Sequence, residues 1–510
     1  MLQELVASFT RMLIAYTVSL FVAYSLGYIA ARDRRMESII MPVVDVLQSV
    51  PILTFFPIAL VFLINTLPAP FGAEIAVIFL IVTSMVWNLI FAVYESFIST
   101  PKNLVAIASM FRMGKLTKLI TLYLPNSLKN VVSNSMVSWA NGWYFLIATE
   151  IITLGSKSYK LFGIGSLMME NALKGNYIVV FMGVFAVTFV VFLMNILVWK
   201  PLLSLISLFF GSKKEKTIYN YILSRLPLIG NPVPYFRKLV KLFYTNIAAF
   251  DYFLTRHHII DISVKLFKLT TLFVVFAIVI GSIYASIWAF SHLSSQASLI
   301  PLAFIKSALR ILIAFSISLL WTVPAAYFIA KTKVLDAIIA PLFEVFAAIP
   351  VTALFPVVAL LVLEMSGNLE LGTLIFLMTG MQWYIFFNAY GSLKSISAYA
   401  EELKRLYSLK EHDYVYRVVF PAMMPAIIIG SISAIGGGWN AIIVSEYLNT
   451  GQGVLSVEGL GSLMSSALYQ TGDISLLILT SLAVAITIPL INITLWRPLM
   501  KRFASERWKM

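Results

Sequence analysis

Four histidines, no cysteine and no GxxxxGKS/T segment leave this chain little with which to make or break covalent bonds. The adjacent His257 and His258 point to different sides of a helix and no acid cluster joins them, so no metal site is expected. GIGSLM at Gly163 and GLGSLM at Gly459 contain GxG but lack the third glycine of a dinucleotide loop; they read as turns. No catalytic, cofactor-binding or metal-ligating residue is therefore expected. The residues that stand out are charges in apolar surroundings. Arg11, Arg310, Glu150 and Glu446 lie at the ends of long uncharged runs, where they either pair with one another or, in the case of the arginines, attract an anion. A second oddity is the stretch from Glu401 to Arg417, with eight charges in a chain that is only 12% charged.

The elements that must hold these charges follow from composition. The 510 residues are 60% hydrophobic with a mean hydropathy of +0.91, which excludes a soluble domain and indicates an all-α polytopic membrane protein. A crossing helix needs about 20 apolar residues. Uncharged or nearly uncharged runs at 12–31, 39–73, 75–94, 130–149, 175–199, 269–290, 311–330, 345–363, 371–393, 418–445 and 474–496 give eleven expected spans. With the N-terminus outside and the C-terminus cytoplasmic, all but six of the 37 Lys and Arg fall on the cytoplasmic side, the exceptions being Arg11, Lys157, Lys160, Lys174, Lys306 and Arg310. The net charge of +14 thus belongs to membrane orientation, and no nucleic-acid partner is expected.

The chain is also a duplication. Ser8–Pro57 aligns with Ser307–Pro356 at an offset of 299 with 16 of 50 positions identical, among them Arg11/Arg310, Pro42/Pro341 and Pro51/Pro350. At an offset of 296 it then pairs Trp87/Trp383, Pro125/Pro421, Trp143/Trp439 and Glu150/Glu446, and at 297 it pairs WKPLL with WRPLM. Five spans per repeat would invert the second copy, yet the charge pattern requires both copies to run the same way. The additional span at 269–290 supplies the missing crossing. The expected domains are a first repeat over 1–200, a basic cytoplasmic linker over 201–268, an additional membrane helix over 269–290, and a second repeat over 303–510.

In the charged stretch Tyr399, Leu403, Leu406 and Tyr407 recur at helical spacing, as do Leu104, Ile107, Ala108 and Phe111 in the first repeat. Each would give a short amphipathic helix suited to the membrane surface or to a groove on a partner. Both stretches resemble the cytoplasmic loop of ABC importer permeases, whose pattern is Glu-Ala-Ala, three residues, Gly, nine residues, Ile-x-Leu-Pro. Counting back from Pro421, Glu402 falls on the motif glutamate and Ser408 on its glycine; counting back from Pro125, Ala106 and Arg112 fall there. The motif glycine suits a tight turn of positive φ, and Gly114 is the candidate to supply that turn in the first repeat. The resemblance implies that these loops form coupling helices docking on ATP-hydrolysing subunits, through Leu104, Ala106, Ile107, Phe111 and Gly114 in one repeat and Glu402, Leu403, Leu406, Tyr407 and Ser408 in the other.

SVPILTFFPI and AIPVTALFPV are most similar to the nitrate, sulfonate and taurine branch of these permeases. That resemblance implies a fused pair of permease repeats in a prokaryotic cell membrane, forming the translocation pathway for a small solute such as nitrate, sulfonate or bicarbonate. It further implies two ABC ATPase subunits that carry the ATP, and an extracytoplasmic substrate-binding protein meeting the outer loops near 150–175 and 446–473. Trp143 and Trp439, preceded by Asn141-Gly142 and Gly436-Gly437-Gly438, are expected at the interface between halves or along the pathway. Asp45 and Glu344 share one equivalent position and suit interhelical hydrogen bonding. Two rivals are an ion-coupled secondary transporter, which would want membrane-embedded acids, and a membrane enzyme, which would want clustered His, Asp or Glu. The best-placed spans contain almost no acids, and no such cluster stands in the sequence.

Overall fold

In the computed structural model the described residues are 1–49, 52–68, 71–155, 161–210, 251, 259–347, 349, 352, 358, 362, 368–396, 404, 406–449 and 454–503. They are almost entirely helical. The first half contains α1 (Leu2–Arg32), α2 (Arg34–Ser49), α3 (Ile52–Thr66), α4 (Phe71–Ile98), α5 (Lys102–Met110), α6 (Lys115–Lys118), α7 (Leu124–Gly155), α8 (Ile164–Leu173), α9 (Tyr177–Met194) and α10 (Lys200–Phe210). Then come α11 (Ile259–Ser291), α12 (Ile300–Lys331), α13 (Lys333–Ala347), α14 (Leu369–Ser395), α15 (Glu411–Tyr414) and α16 (Phe420–Ser445). A hairpin of β1 (Tyr447–Asn449) and β2 (Val454–Ser456) pairs Tyr447 with Ser456, and α17 (Leu460–Ser466), α18 (Ile474–Ile491) and α19 (Arg497–Phe503) are the last of the described elements.

Eight helical stretches among the described residues are long and apolar enough to cross a membrane: Leu2–Arg32, Phe71–Ile98, Tyr177–Ile206, Lys265–Ser291, Ala297–Lys331, Leu369–Lys394, Glu411–Ser445 and Ile474–Phe503. The run at 39–73 holds α2, described to Ser49, and α3, Ile52–Thr66, with residues 50, 51, 69 and 70 outside the described residues. The run at 345–363 lies largely outside the described residues. At 130–149 the helix exists as α7 but is less apolar than the eight, because it carries a polar stripe. Asn126 Nδ2 donates to Ser96 O at 2.7 Å, Asn130 Nδ2 to Ala92 O at 3.1 Å and Ser138 Oγ to Met85 O at 3.2 Å, all on α4. Those polar groups hold two helices together.

Prolines shape the helices in register. Wide, π-type turns occur at Leu119–Tyr123 and Val415–Val419, and again at Asn195–Trp199 and Asn492–Trp496. Each ends two residues before a proline: Pro125, Pro421, Pro201 and Pro498. A proline inside a helix has no N–H to give and its ring presses on the carbonyl four residues back. One extra residue in the preceding turn moves that carbonyl aside and lets the helix continue.

At the far end of α7 and of α16 sits a buried charge cluster, built twice. Arg11 Nε and Nη2 donate to the two carboxylate oxygens of Glu74 at 2.7 and 2.6 Å, while Nη1 donates to Glu150 Oε1 and to Phe162 O, both at 2.9 Å. Ser8 Oγ also donates to Glu150 Oε1 at 2.8 Å, and Gly165 N to Glu150 Oε2 at 2.7 Å. In the second half Arg310 binds Glu370 at 2.6 and 2.9 Å, Glu446 Oε1 at 2.6 Å and Glu458 O at 3.0 Å. Ser307 Oγ and Gly461 N complete the Glu446 site at 2.6 and 2.7 Å. Glu150 and Glu446 are 0% exposed. Each carboxylate thus ties α7 or α16 to the first long helix and to the N-terminus of α8 or α17, where the helix dipole favours an anion. The glycines of GIGSLM and GLGSLM are explained by this packing: a methyl on Gly163 or Gly459 would overlap the Glu150 or Glu446 carboxylate.

Removing one member of a buried pair strands its partner, at a cost of about 3–5 kcal/mol. Glu150→Ala and Glu446→Ala should each lower the unfolding midpoint of the purified protein well below that of an exposed control such as Glu458→Ala. The double change Arg11→Met with Glu150→Gln should cost less than the sum of the single changes, and additive losses would show that the two residues are not coupled.

Candidate functional site

The two loops singled out by sequence spacing sit at the opposite end of α7 and α16 from the charge clusters, some 30 residues away along each helix. In the first, α5 presents Leu104, Ala106, Ile107, Met110 and Phe111 outward, with Phe111 74% exposed, while Ala108 turns inward and is buried. In the second, Leu406 and Tyr407 are exposed at 73% and 72%. Glu402, Leu403 and Tyr399 lie outside the described residues. A row of large apolar side chains at a helix end, exposed among the described residues, suits a partner surface.

Both helices close with the same turn. Arg112 has φ of 49° and Ser408 has φ of 48°, the only non-glycine residues with positive φ among those described. Met113 N donates to Ala108 O, and Leu409 N to Lys404 O, each at 3.0 Å and each spanning five residues. This is the hydrogen-bond pattern of a helix that ends on a left-handed residue. Glycine normally fills that position because a Cβ is crowded there. The turn is therefore made at the position of the motif glycine, by arginine and serine. Gly114 does not supply it, a correction to the sequence reading: its φ of −66° and ψ of 172° are ordinary extended backbone.

Elsewhere the structure redistributes the expected residues. Trp143 is fully buried in the shared core, and Trp439 stacks on Phe304 of its own half with ring centroids 5.0 Å apart. The glycines before them serve packing within a half. A Cβ on Gly142 would run into Met85 and Met12, and one on Gly438 would come 3.0 Å from Met381 Sδ. The contacts that do join the halves come from neighbouring polar groups. Leu53 N donates to Asn440 Oδ1 at 3.2 Å, and Thr352 Oγ1 donates to Tyr144 O at 3.0 Å. Leu53 corresponds to Thr352 and Tyr144 to Asn440 under the repeat offsets, so the contact is one reciprocal pair, as across a two-fold interface. Tyr384 Oη adds a bond to Asn141 Oδ1 at 3.2 Å, and Arg497 Nη2 reaches Asp45 Oδ2 at 2.7 Å. The side chain of Glu344 and the pair His257-His258 lie outside the described residues, among which no group of His, Asp or Glu could hold a metal.

Two acids and two serines of the charge clusters escaped the sequence reading: Glu74, Glu370, Ser8 and Ser307. The signal was present. Glu74 and Glu370 are equivalent at the offset of 296, and the serines begin the aligned block.

Comparison with known proteins gives two matches within the chain. The family described as "Binding-protein-dependent transport system inner membrane component" matches residues 23–198 and again 318–497. Among curated relatives, the bicarbonate transport system permease protein CmpB of Synechococcus elongatus is 25% identical over 175 residues, 34% of this chain and 58% of the relative. The nitrate import permease protein NrtB of Leptolyngbya laminosa is 23% identical over 195 residues, 38% of this chain and 65% of the relative. A putative aliphatic sulfonates transport permease protein, SsuC of Bacillus subtilis, is 24% identical over 85 residues, 17% of this chain and 31% of the relative. The matched stretches thus span less than two thirds of each of these relatives.

The left-handed turns give a direct test. Arg112→Gly and Ser408→Gly should each relieve about 1 kcal/mol of backbone crowding. Hydrogen exchange at the Met113 and Leu409 amides should slow accordingly. Faster exchange in the glycine variants would show that the arginine and serine side chains, not the backbone, hold the turns.

Proposed function

The chain belongs to the family of binding-protein-dependent transport system inner membrane components, carrying its domain twice, and from that premise we propose that it is the complete membrane pathway of an ATP-driven importer. The observation that carries this reading is the pair of equivalent loops, each with exposed apolar residues closed by a left-handed turn and joined through a proline-bearing helix to a buried charge cluster. Leu104, Ala106, Ile107, Phe111, Glu402, Leu403, Leu406, Tyr407 and Ser408 are assigned to docking two ATPase subunits, and ATP and its hydrolysis belong to those subunits. Their closure on ATP would draw the two loops together. Each loop is continuous with a long helix, so the movement would reach the far end, where a substrate-binding protein meets segments 150–175 and 446–473.

The pathway runs between the halves, past Tyr144, Asn141, Asn440 and Tyr384. The Tyr144 hydroxyl is buried and has no partner among the described residues, so it offers a hydrogen bond to a passing solute. A small anion is the favoured solute, because relatives are named for bicarbonate, nitrate and sulfonates. Arg11 and Arg310 are assigned to the clamps and not to anion capture, since four hydrogen bonds commit each guanidinium to oxygens of the chain itself. Ion-coupled transport is less well supported: Glu150 and Glu446, buried acids of the two halves, are each held by an arginine. Residues 1–200 and 303–510 are taken as the two permease halves, 201–268 as the cytoplasmic linker and 269–290 as the additional crossing.

Purification of the tagged chain from its native membrane should bring down a P-loop ATPase identifiable by mass spectrometry. That partner should be lost when 104–111 and 402–409 are replaced by neutral linkers. A chain that arrives alone would favour the secondary transporter.

Orientation is tested separately, because the chain has no cysteine to interfere. A membrane-impermeant maleimide should label Lys174→Cys in intact cells and Tyr407→Cys only after permeabilisation. The reverse pattern would invert the topology.

A further inference from the structure

The two docking loops lead into their long helices with opposite charge. In the second half α15 opens with Glu411 and Asp413, acids in the first turn, where the free N–H groups and the positive end of the helix dipole favour them. At the equivalent positions of the first half stand Lys115 and Thr117, followed by Lys118; α6 has no acid in its first turn. A helix start with two lysines and no carboxylate is electrostatically the wrong way round.

The missing carboxylate arrives from the segment between the repeats. Asp251 Oδ2 accepts from Thr117 N at 2.8 Å and from Thr117 Oγ1 at 2.6 Å, and Oδ1 accepts from Leu116 N at 3.3 Å. Asp251 is 1% exposed, although it lies 134 residues from Thr117 in the chain. Gly114 explains itself here. It is the N-cap residue, and a methyl on it would overlap the Asp251 carboxylate. Its counterpart Lys410 is exposed. A second attachment lies 17 residues on, where Lys268 Nζ donates to Asp33 Oδ2 at 2.5 Å, at the junction of α1 and α2 in the same half.

We propose that Asp251 is a positioning residue that braces the first docking loop from the inter-repeat segment, so that a partner meets two non-equivalent docking sites: one whose leading helix is held by Asp251 from that segment, and one whose leading acid, Glu411, is held by Lys331 and Lys404 of its own half. The inference rests on reading the two loops as ATPase-docking sites. The brace sits immediately behind the α5 turn, five residues from Arg112 to Thr117, so loss of Asp251 frees the loop without removing any residue that touches the partner.

The test uses the purified full-length chain in lipid nanodiscs. In Asp251→Ala, hydrogen exchange at the Leu116 and Thr117 amides should speed up about tenfold, while peptides covering Glu411–Tyr416 stay as protected as before. Adding Thr117→Asp, which copies Asp413 of the second half, should restore the protection. Gly114→Ala with Asp251 intact should reproduce the loss by crowding the carboxylate. Unchanged exchange at Leu116 and Thr117 in Asp251→Ala would overturn the brace, and so would equal losses in both loops. With the co-purified ATPase, Asp251→Ala should reduce the bound copies from two to one by native mass spectrometry, with recovery on Thr117→Asp. Two copies bound by Asp251→Ala would overturn the docking role. Failure of the unaltered chain to bind any ATPase would count against the permease reading alone, leaving the exchange result to decide the brace.

Discussion

A carboxylate with no exposed surface can be kept inside a helical protein only if donors surround it, and Glu150 and Glu446 impose that requirement on everything near them. One arginine from the first long helix, one serine a turn before it and one backbone amide from the following loop meet the requirement in each half. The arginine in turn needs a second acid, supplied by Glu74 or Glu370 at the start of the next long helix. Four separate segments are thereby fixed at one end of the half by a single network. Such networks are poor sources of net stability, since the desolvation of the ions offsets their attraction, but they are unforgiving of misplacement. A clamp of this kind sets where α7 ends and where the loop to α8 begins, and the rest of each half hangs from it.

The opposite end is set by prolines. Wide turns placed two residues before Pro125 and Pro421 let a long helix pass through a proline without breaking, so that loop and clamp remain on one continuous rod. Rigid connection over such a length is what a mechanical link between two ends requires. Between the rods lies the reciprocal contact of Leu53 with Asn440 and Thr352 with Tyr144. One such contact is a chance meeting of polar groups; its repetition under the symmetry of the duplication marks a pseudo-two-fold interface.

Much of this was legible in the residues. The repeat, the prolines and the charged helix ends all follow from aligning the chain with itself, because such features depend on single residue types at fixed spacing. Sequence periodicity failed where structure depends on partners distant in the chain. Gly142 and Gly438 were read as a meeting place of the halves, since a small residue says that something comes close but not what; Met12 and Met85, and Met381, are what comes close. Gly114 was assigned a positive φ for the same reason. Its actual cause, a buried aspartate 137 residues on, leaves no local trace.

Joining two permease domains in one chain changes what selection acts on. A pair of identical subunits must place the same residues in both copies of a loop, so any lost acid is lost twice. Within a single chain one copy can keep Glu411 and Asp413 while the other accepts Lys115 and Thr117, provided a carboxylate comes from elsewhere. The inter-repeat segment exists only because the repeats are fused, and Asp251 lies within it. The same logic covers Arg112 and Ser408. Both copies retain the left-handed turn without its glycine, which means the geometry is over-determined by the helices on either side. What is kept in both halves is shape; what differs is the residue that produces it. Duplication followed by divergence leaves that signature when the two sites must still present the same surface but no longer need to present it for the same reason.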